Sequence, residues 1–325
     1  MPAPPQDEEP LPDDIDTENI ISVESVEVII PVTVTDREGR FVSDLTQEDF
    51  TIYDNGVEQT ITYFNAERNQ PVVVGFLVDL SNASRIQWKT FQQSAIDLVF
   101  TILNGEDKYS GYLIGFGNQS ELMVDTTNDP AEIVERLEEL EPGGGAAFYN
   151  AIYQAITDRS LLPGEPYEPR RVIVVVGDGH DNASDWRREQ IIELLQRDLV
   201  TIYAVSTEAY GFHSDGSANL RALAAATGGK VEYPLLDVYD NTQGFLSRPR
   251  DEGNFEFEVG TGQYSATLAQ AIYGSIRNLV GEITTQYILR YVPNNPSPEP
   301  EERRVSVSVD LPSVEVRARQ SYFNR

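Results

Sequence analysis

Two unbroken apolar runs constrain this chain more than any other feature: Val72-Val73-Val74-Gly75-Phe76-Leu77-Val78 and Val172-Ile173-Val174-Val175-Val176. A strand with one face in water alternates apolar and polar residues. A run without that alternation reads as a strand covered on both faces, the situation in a parallel sheet flanked by helices. Each run ends in a carboxylate, as Asp79-Leu80-Ser81 and as Gly177-Asp178-Gly179. In open α/β sheets ligands gather outside the carboxyl ends of the strands, at the point where the strand order reverses. Asp79, Ser81 and Asp178 are therefore the first candidates for a site.

The surroundings of these runs agree with that class. Residues 69–285 alternate strand and helix patterns, the signature of parallel βαβ units. A helix is expected from Arg85 to Leu103, another to Leu140 after Asn128-Asp129-Pro130, and others over Phe148–Asp158, Asp185–Arg197, Ser217–Thr227 and Ser265–Gly281. The two ends of the chain read differently. VEVIIPVTVTD alternates with period two and carries Pro31, which suggests an edge strand or a bulge. Asn55-Gly56 between alternating segments predicts a hairpin, because a type I′ turn needs positive φ at both central residues. Near the other end, Gln286–Val292, Arg304–Val309 and Val314–Arg319 read as strands. Neither end has enough strands to be stable alone. The expected solution is that residues 23–68 and 286–325 pair into one small β-sandwich, with residues 69–285 inserted in it. Residues 1–22, acidic and rich in proline, read as an extended leader. Residues 235–264 have little periodicity and read as a long insertion loop, a second candidate for recognition.

Charge and composition exclude several classes. With 24 Lys and Arg against 53 Asp and Glu, the net charge is −29, which repels phosphate backbones and anionic membranes. No nucleic acid partner and no membrane insertion are expected. The chain has no cysteine, so disulfides, thiolate catalysis and Cys-based metal centres are out. No apolar run reaches membrane-span length, and no signal peptide is read at the start. Gly143-Gly144-Gly145 lacks the Gly-Lys-Ser/Thr of a phosphate loop, and no Gly-x-Ser-x-Gly elbow occurs. His180 and His213 are the two histidines, and neither neighbours a plausible nucleophile. A carboxylate-dependent hydrolase remains the one enzymatic alternative.

The order of elements, the Asp79-x-Ser81 strand end, the glycine triplet before a helix and Gly177-Asp178-Gly179 together resemble the von Willebrand factor A (VWA) domain. The flanking segments DREGRFVSDLTQEDFTIYDNGVEQTITYF and YILRYVPNN resemble VWA-related proteins common in acidobacteria. The resemblance covers residues 23–325 apart from the 235–264 loop. It implies a Rossmann-like, mostly parallel sheet with helices on both faces, in a non-enzymatic protein that binds other proteins and acts outside the cytoplasm. It also implies a metal-ion-dependent adhesion site for Mg²⁺ or Mn²⁺, built from Asp-x-Ser-x-Ser, a Thr and an Asp. Here Asp79, Ser81 and Asp178 match that pattern, whereas Ala83 stands at the second Ser position and Ala146 at the Thr position. Asn82 and Ser84 are one residue out of register.

Alanine has no lone pair, so such a site keeps its charge and loses neutral oxygens. Mg²⁺ retains water readily and tolerates that better than a softer ion would. His180 beside the two carboxylates would favour a transition metal. Alternatively, Asp79 and Asp178 cap helices or bond loop amides without any ion. Two functional readings follow beside the hydrolase: a VWA-type adhesion module with a degenerate metal site, and a self-assembling structural protein that joins copies through strand edges.

Overall fold

The computed structural model describes residues 27–37, 39–66, 71–85, 88–158, 169–208, 215–235, 261–297 and 299–324. The leader, and positions 236–260 of the expected insertion loop, lie outside the described residues, as does His213.

The two apolar runs become β5 (Val72–Asp79) and β8 (Arg170–Gly177), adjacent and parallel at the middle of a six-stranded sheet. On one side lie β6 (Tyr109–Phe116) and, antiparallel at the edge, β7 (Ser120–Thr127). On the other lie β9 (Thr201–Ser206) and the short β10 (Val231–Glu232), both parallel. Successive side chains of a strand point to opposite faces, and β5 and β8 divide accordingly. Val74, Phe76, Val172 and Val174 meet one layer of helices, which contains α1 (Trp88–Ile102), α2 (Pro130–Glu138) and α6 (Thr261–Thr285). Val73, Leu77, Ile173 and Val175 meet the other, with α3 (Phe148–Thr157), α4 (Arg188–Arg197) and α5 (Asp215–Thr227). Each of these side chains contributes about 1.5–3 kcal/mol by leaving water, which is why neither run tolerates a polar residue.

Several boundaries differ from the sequence reading. The helix expected from Arg85 begins at Trp88, preceded by a 3₁₀ turn over Asn82–Arg85. The helix expected from Asp185 begins at Arg188, because the preceding residues fold back onto α3. The last helix is longer than its apolar pattern and runs almost directly into β11 (Tyr287–Tyr291).

The chain ends build two four-stranded antiparallel sheets. The first has the order β13-β1-β11-β4, with β1 (Val28–Thr35), β4 (Ile61–Asn65) and β13 (Glu315–Ala318) around β11. The second has the order β14-β12-β2-β3, from β2 (Phe50–Asp54), β3 (Val57–Gln59), β12 (Glu302–Val309) and β14 (Ser321–Phe323). They share one core, in which Ile30, Val32, Tyr287 and Leu289 face Phe50, Ile52, Val305 and Tyr322. Asn55 and Gly56 both take positive φ, so β2 and β3 join through the turn their sequence requires. Pro31 was expected at an edge, yet β1 is an interior strand. The flank beside Pro31 is open on one side, because β13 pairs only with Val32–Thr35.

The second sheet is tied to the first by one fully buried carboxylate. Asp54 accepts the Tyr291 and Tyr322 hydroxyls, each at 2.8 Å, and the Arg303 Nε at 2.9 Å. Burial, then the bond to Asp54, pushes the Tyr322 phenol up to about 12. Asp54→Ala removes the acceptor that both hydroxyls share and leaves the buried Arg303 to Glu301 and Asn295. It should cost about 3–5 kcal/mol in urea unfolding. A loss below about 1 kcal/mol, the range of an exposed pair, would show that this carboxylate does not hold the sheets together.

Candidate functional site

Parallel pairing of β5 and β8 sets the site. The register Val78↔Val176 brings Asp79 beside Gly177 and one residue short of Asp178. A Cβ at Gly177 would lie 2.7 Å from the Asp79 Cβ, so the close approach depends on the missing side chain. Asp79 is 2% exposed. Its Oδ1 accepts the Ser81 amide at 2.7 Å, while its buried Oδ2 has no hydrogen-bond partner. Burial raises its carboxyl above the ordinary range, and the neighbouring Asp178 charge raises it further. The amide and hydroxyl of Ser81 and the hydroxyl of Ser84 pull it partly back.

Asp178 is less enclosed. Its Oδ1 accepts the His180 amide at 2.9 Å, and its Oδ2 lies 3.1 Å from the His180 Nδ1. Gly179 and Gly216 let this loop seat tightly on the first turn of α5. A Cβ at Gly216 would come within 2.8 Å of the Asp178 carbonyl and the His180 ring and amide. The half-exposed His180 thus lies against Asp178.

The 3₁₀ turn sorts the first loop. Ser81 and Ser84 point inward and are buried, and Ala83 is exposed. Ser84, out of register in the sequence pattern, is the inward hydroxyl beside Asp79, because a 3₁₀ turn places residues three apart on one side. Asn82 donates its amide to the Gly144 carbonyl at 3.1 Å, and Gly143 donates to Leu80 at 2.6 Å, stitching this loop to the glycine loop. Ala146 is buried at 2% exposure. Its methyl offers nothing to an ion, and its backbone is engaged with Asn182. The Ala146 amide donates to Asn182 Oδ1 at 2.8 Å, and its carbonyl accepts the Asn182 amide at 3.0 Å.

Three side chains that the sequence pattern did not mark hold this face together. Asn118 Oδ1 accepts the Gly145 amide at 2.6 Å, so Asn118 and Asn182 grip the glycine loop from two sides. Asp181 caps α3 from another loop, its Oδ2 accepting the Tyr149 amide at 2.9 Å. Ala147, at the N-cap position, has no acceptor to do so. The only sequence signal for these roles is that each follows a strand end; their partners are remote in the chain.

Residues 74–180 match the model of the von Willebrand factor type A domain. The chain carries a von Willebrand factor type A domain. The matched stretch runs from β5 to His180 and so includes both carboxylates. The Rossmann-like sheet with helices on both faces is the architecture expected of a VWA domain, and the antiparallel sheets flank it. No curated protein sequence matches the chain. Among solved structures, an aerotolerance-related membrane protein from Bacteroides fragilis is 19% identical with a TM-score of 0.40, over 49% of this chain and 90% of that one. The type V pili tip protein Mfa5 from Porphyromonas gingivalis is 18% identical through its vWF domain, with a TM-score of 0.31 over 34% and 39%. Proximal thread matrix protein 1 from the mussel byssus, in a structure with a zinc-occupied adhesion-site motif, is 14% identical with a TM-score of 0.44 over 71% and 49%. Among the described residues of the present VWA domain and its flanks, no three His, Asp or Glu side chains gather closely enough to hold a metal ion.

A group whose folded value is raised favours folding below its ordinary value and loses that contribution as pH rises. Ionised Asp79 therefore opposes folding at neutral pH. Asp79→Asn keeps an acceptor for the Ser81 amide and removes the charge. In EDTA it should melt higher than wild type at pH 7, and the gain should shrink as pH falls to about 4. A difference independent of pH would contradict the buried-charge account.

Proposed function

We propose that this chain is a non-enzymatic, VWA-type protein-binding module that acts outside the cytoplasm. In this reading residues 69–285 form the binding domain, carried on a sandwich built from residues 23–68 and 286–325. The binding face is the one where the Asp79, Ala146 and Asp178 loops meet. The observation that carries the reading is the state of Asp79: a buried carboxylate with one oxygen unpartnered, at the strand end where this fold presents its ligands.

The metal site is degenerate in this reading. Asp79, Ser81 and Asp178 would hold a divalent ion, with Ser84 adding an inward hydroxyl. Ala83 and Ala146 supply nothing, and His180 already occupies one oxygen of Asp178. An ion bound there would offer an open coordination position to a partner's oxygen atom. The donor set fits such an ion poorly, because octahedral Mg²⁺ or Mn²⁺ would take most of its ligands from water. Self-association is the second reading, favoured by the outer strands of both antiparallel sheets, which leave β4, β13, β3 and β14 at edges.

Millimolar Mg²⁺, Mn²⁺ or EDTA should leave the wild-type melting temperature unmoved, whereas Ala146→Thr, which adds a hydroxyl on the buried side with Ser84 kept, should gain stability with Mn²⁺. A clear rise of the wild type with Mn²⁺ would overturn the degeneracy, since an ion at 100 times its Kd adds about 2.7 kcal/mol. For the binding face, a photo-cross-linker at the exposed Ala83 should trap the partner and one at Asp310, on the sandwich, should not; the reverse pattern rejects this face.

A further inference from the structure

Asn55-Gly56 and Asn104-Gly105 are the two Asn-Gly pairs of the chain. Glycine has no side chain to shield its backbone nitrogen, so that nitrogen can approach the side-chain carbonyl carbon of the asparagine before it. All four residues are exposed. Access to water therefore does not separate the two pairs. The direction of each asparagine side chain does.

Asn55 is drawn sideways, away from its glycine. It opens the turn between β2 and β3, and its bonds run to Arg304 on the neighbouring β12. The Asn55 amide donates to the Arg304 carbonyl at 2.8 Å, and the Asn55 Oδ1 accepts the Arg304 amide at 2.9 Å. The turn is fixed by strand pairing on both of its sides and by positive φ at both residues. To bring its side chain over Gly56, Asn55 must give up a cross-strand hydrogen bond.

Asn104 is folded forward, over its glycine. It lies just beyond α1, which ends at Ile102. Its Oδ1 accepts the Glu106 amide at 3.2 Å, and its Nδ2 donates to the Glu106 Oε1 at 3.3 Å. A side chain that bonds the backbone two residues ahead arches across the peptide between them. That peptide contains the Gly105 nitrogen. The far end of the arch is held in place. Glu106 Oε2 pairs with the Lys108 Nζ at 2.8 Å, and the Glu106 carbonyl accepts the Tyr109 amide at 3.0 Å.

We propose that Asn104 is a site of spontaneous covalent modification, in which the Gly105 nitrogen attacks the Asn104 side-chain carbonyl carbon, Cγ. The N–Cγ bond forms and the Cγ–Nδ2 bond breaks. Nδ2 leaves as ammonia, taking the proton that the Gly105 nitrogen gives up, and a cyclic imide remains. Water then opens the ring. Addition at Cγ yields aspartate, and addition at the main-chain carbonyl carbon yields isoaspartate, with the chain rerouted through the side chain. Water is the only co-reactant, and nothing is oxidised or reduced. The position of the site sets its consequence. Lys108 and Tyr109 lead into β6, and the Lys108 carbonyl accepts the Val72 amide at the head of β5 at 2.8 Å. Isoaspartate therefore lengthens the backbone where these strands start, at the opposite end of β5 from Asp79.

The test holds the full chain in mildly alkaline buffer, native and in urea, and follows both Asn-Gly peptides by mass spectrometry with isoaspartyl methyltransferase labelling. In the native protein Asn104 should convert about tenfold faster than Asn55 or more, the scale on which orientation governs an intramolecular attack. In urea the two rates should converge, because both sites are then plain Asn-Gly pairs. Asn104→Gln should remove most of the isoaspartate formed by the native chain. An Asn104 peptide that stays unchanged in the native protein would overturn the proposal, as would matching native rates at the two sites. A lead for Asn104 that persists in urea would overturn it as well, since neighbouring sequence and not the folded arch would then be the cause.

Discussion

Everything at the candidate site depends on the side-by-side, parallel pairing of β5 and β8. Seven register pairs lock the two strands, and both are buried on both faces, so neither can slip without moving its whole set of valines. That pairing delivers Asp79 and Asp178 to one edge and forces Asp79 against Gly177. The carboxylates are neighbours because the strands are neighbours. No contact between the two acids themselves is needed to hold them there, and their mutual repulsion is borne by the hydrophobic packing beneath.

The flanking antiparallel sheets are not loosely appended. The seam between them and the parallel sheet is polar and buried. Gln286 donates to Tyr203 at 2.7 Å and to Thr33 at 3.1 Å, Gln196 donates to Ser321 at 2.7 Å, and Arg317 pairs with Glu282. Arg319 is buried in this seam, its guanidinium held down to about 10 by loss of water, with the Gln196 carbonyl as an acceptor. Gly228 packs so closely that a Cβ would lie 2.7 Å from the Arg319 amide. These contacts join the parallel sheet to the antiparallel sheets through buried polar groups. The six-stranded sheet therefore presents its carboxyl edge in a set orientation relative to the sandwich.

At the candidate site, side chains of one loop bond the backbone of another. Asn118 and Asn182 hold the glycine loop through its backbone N–H groups, and Asp181 caps α3. These hydrogen bonds join the loops to one another.

Much of this was legible from the chain alone. The unbroken valine runs determined the parallel sheet, Asn55-Gly56 determined the hairpin, and the strand-end acids determined where to look for a site. Each of those signals is local, a pattern of burial or of φ confined to a few consecutive residues. What only the tertiary structure decided depends on residues far apart in sequence: Ser84 rather than position 83 turned inward, Asn182 reaching Ala146, Pro31 sheltered where β13 stops short, and β14 completing the second sheet from a three-residue segment too short to show a period. The alanines at 83 and 146 were visible from the start as positions without a side-chain oxygen. That the surrounding loops compensate with backbone hydrogen bonds follows from packing, because which amide meets which carbonyl is set by how the strands and helices come together.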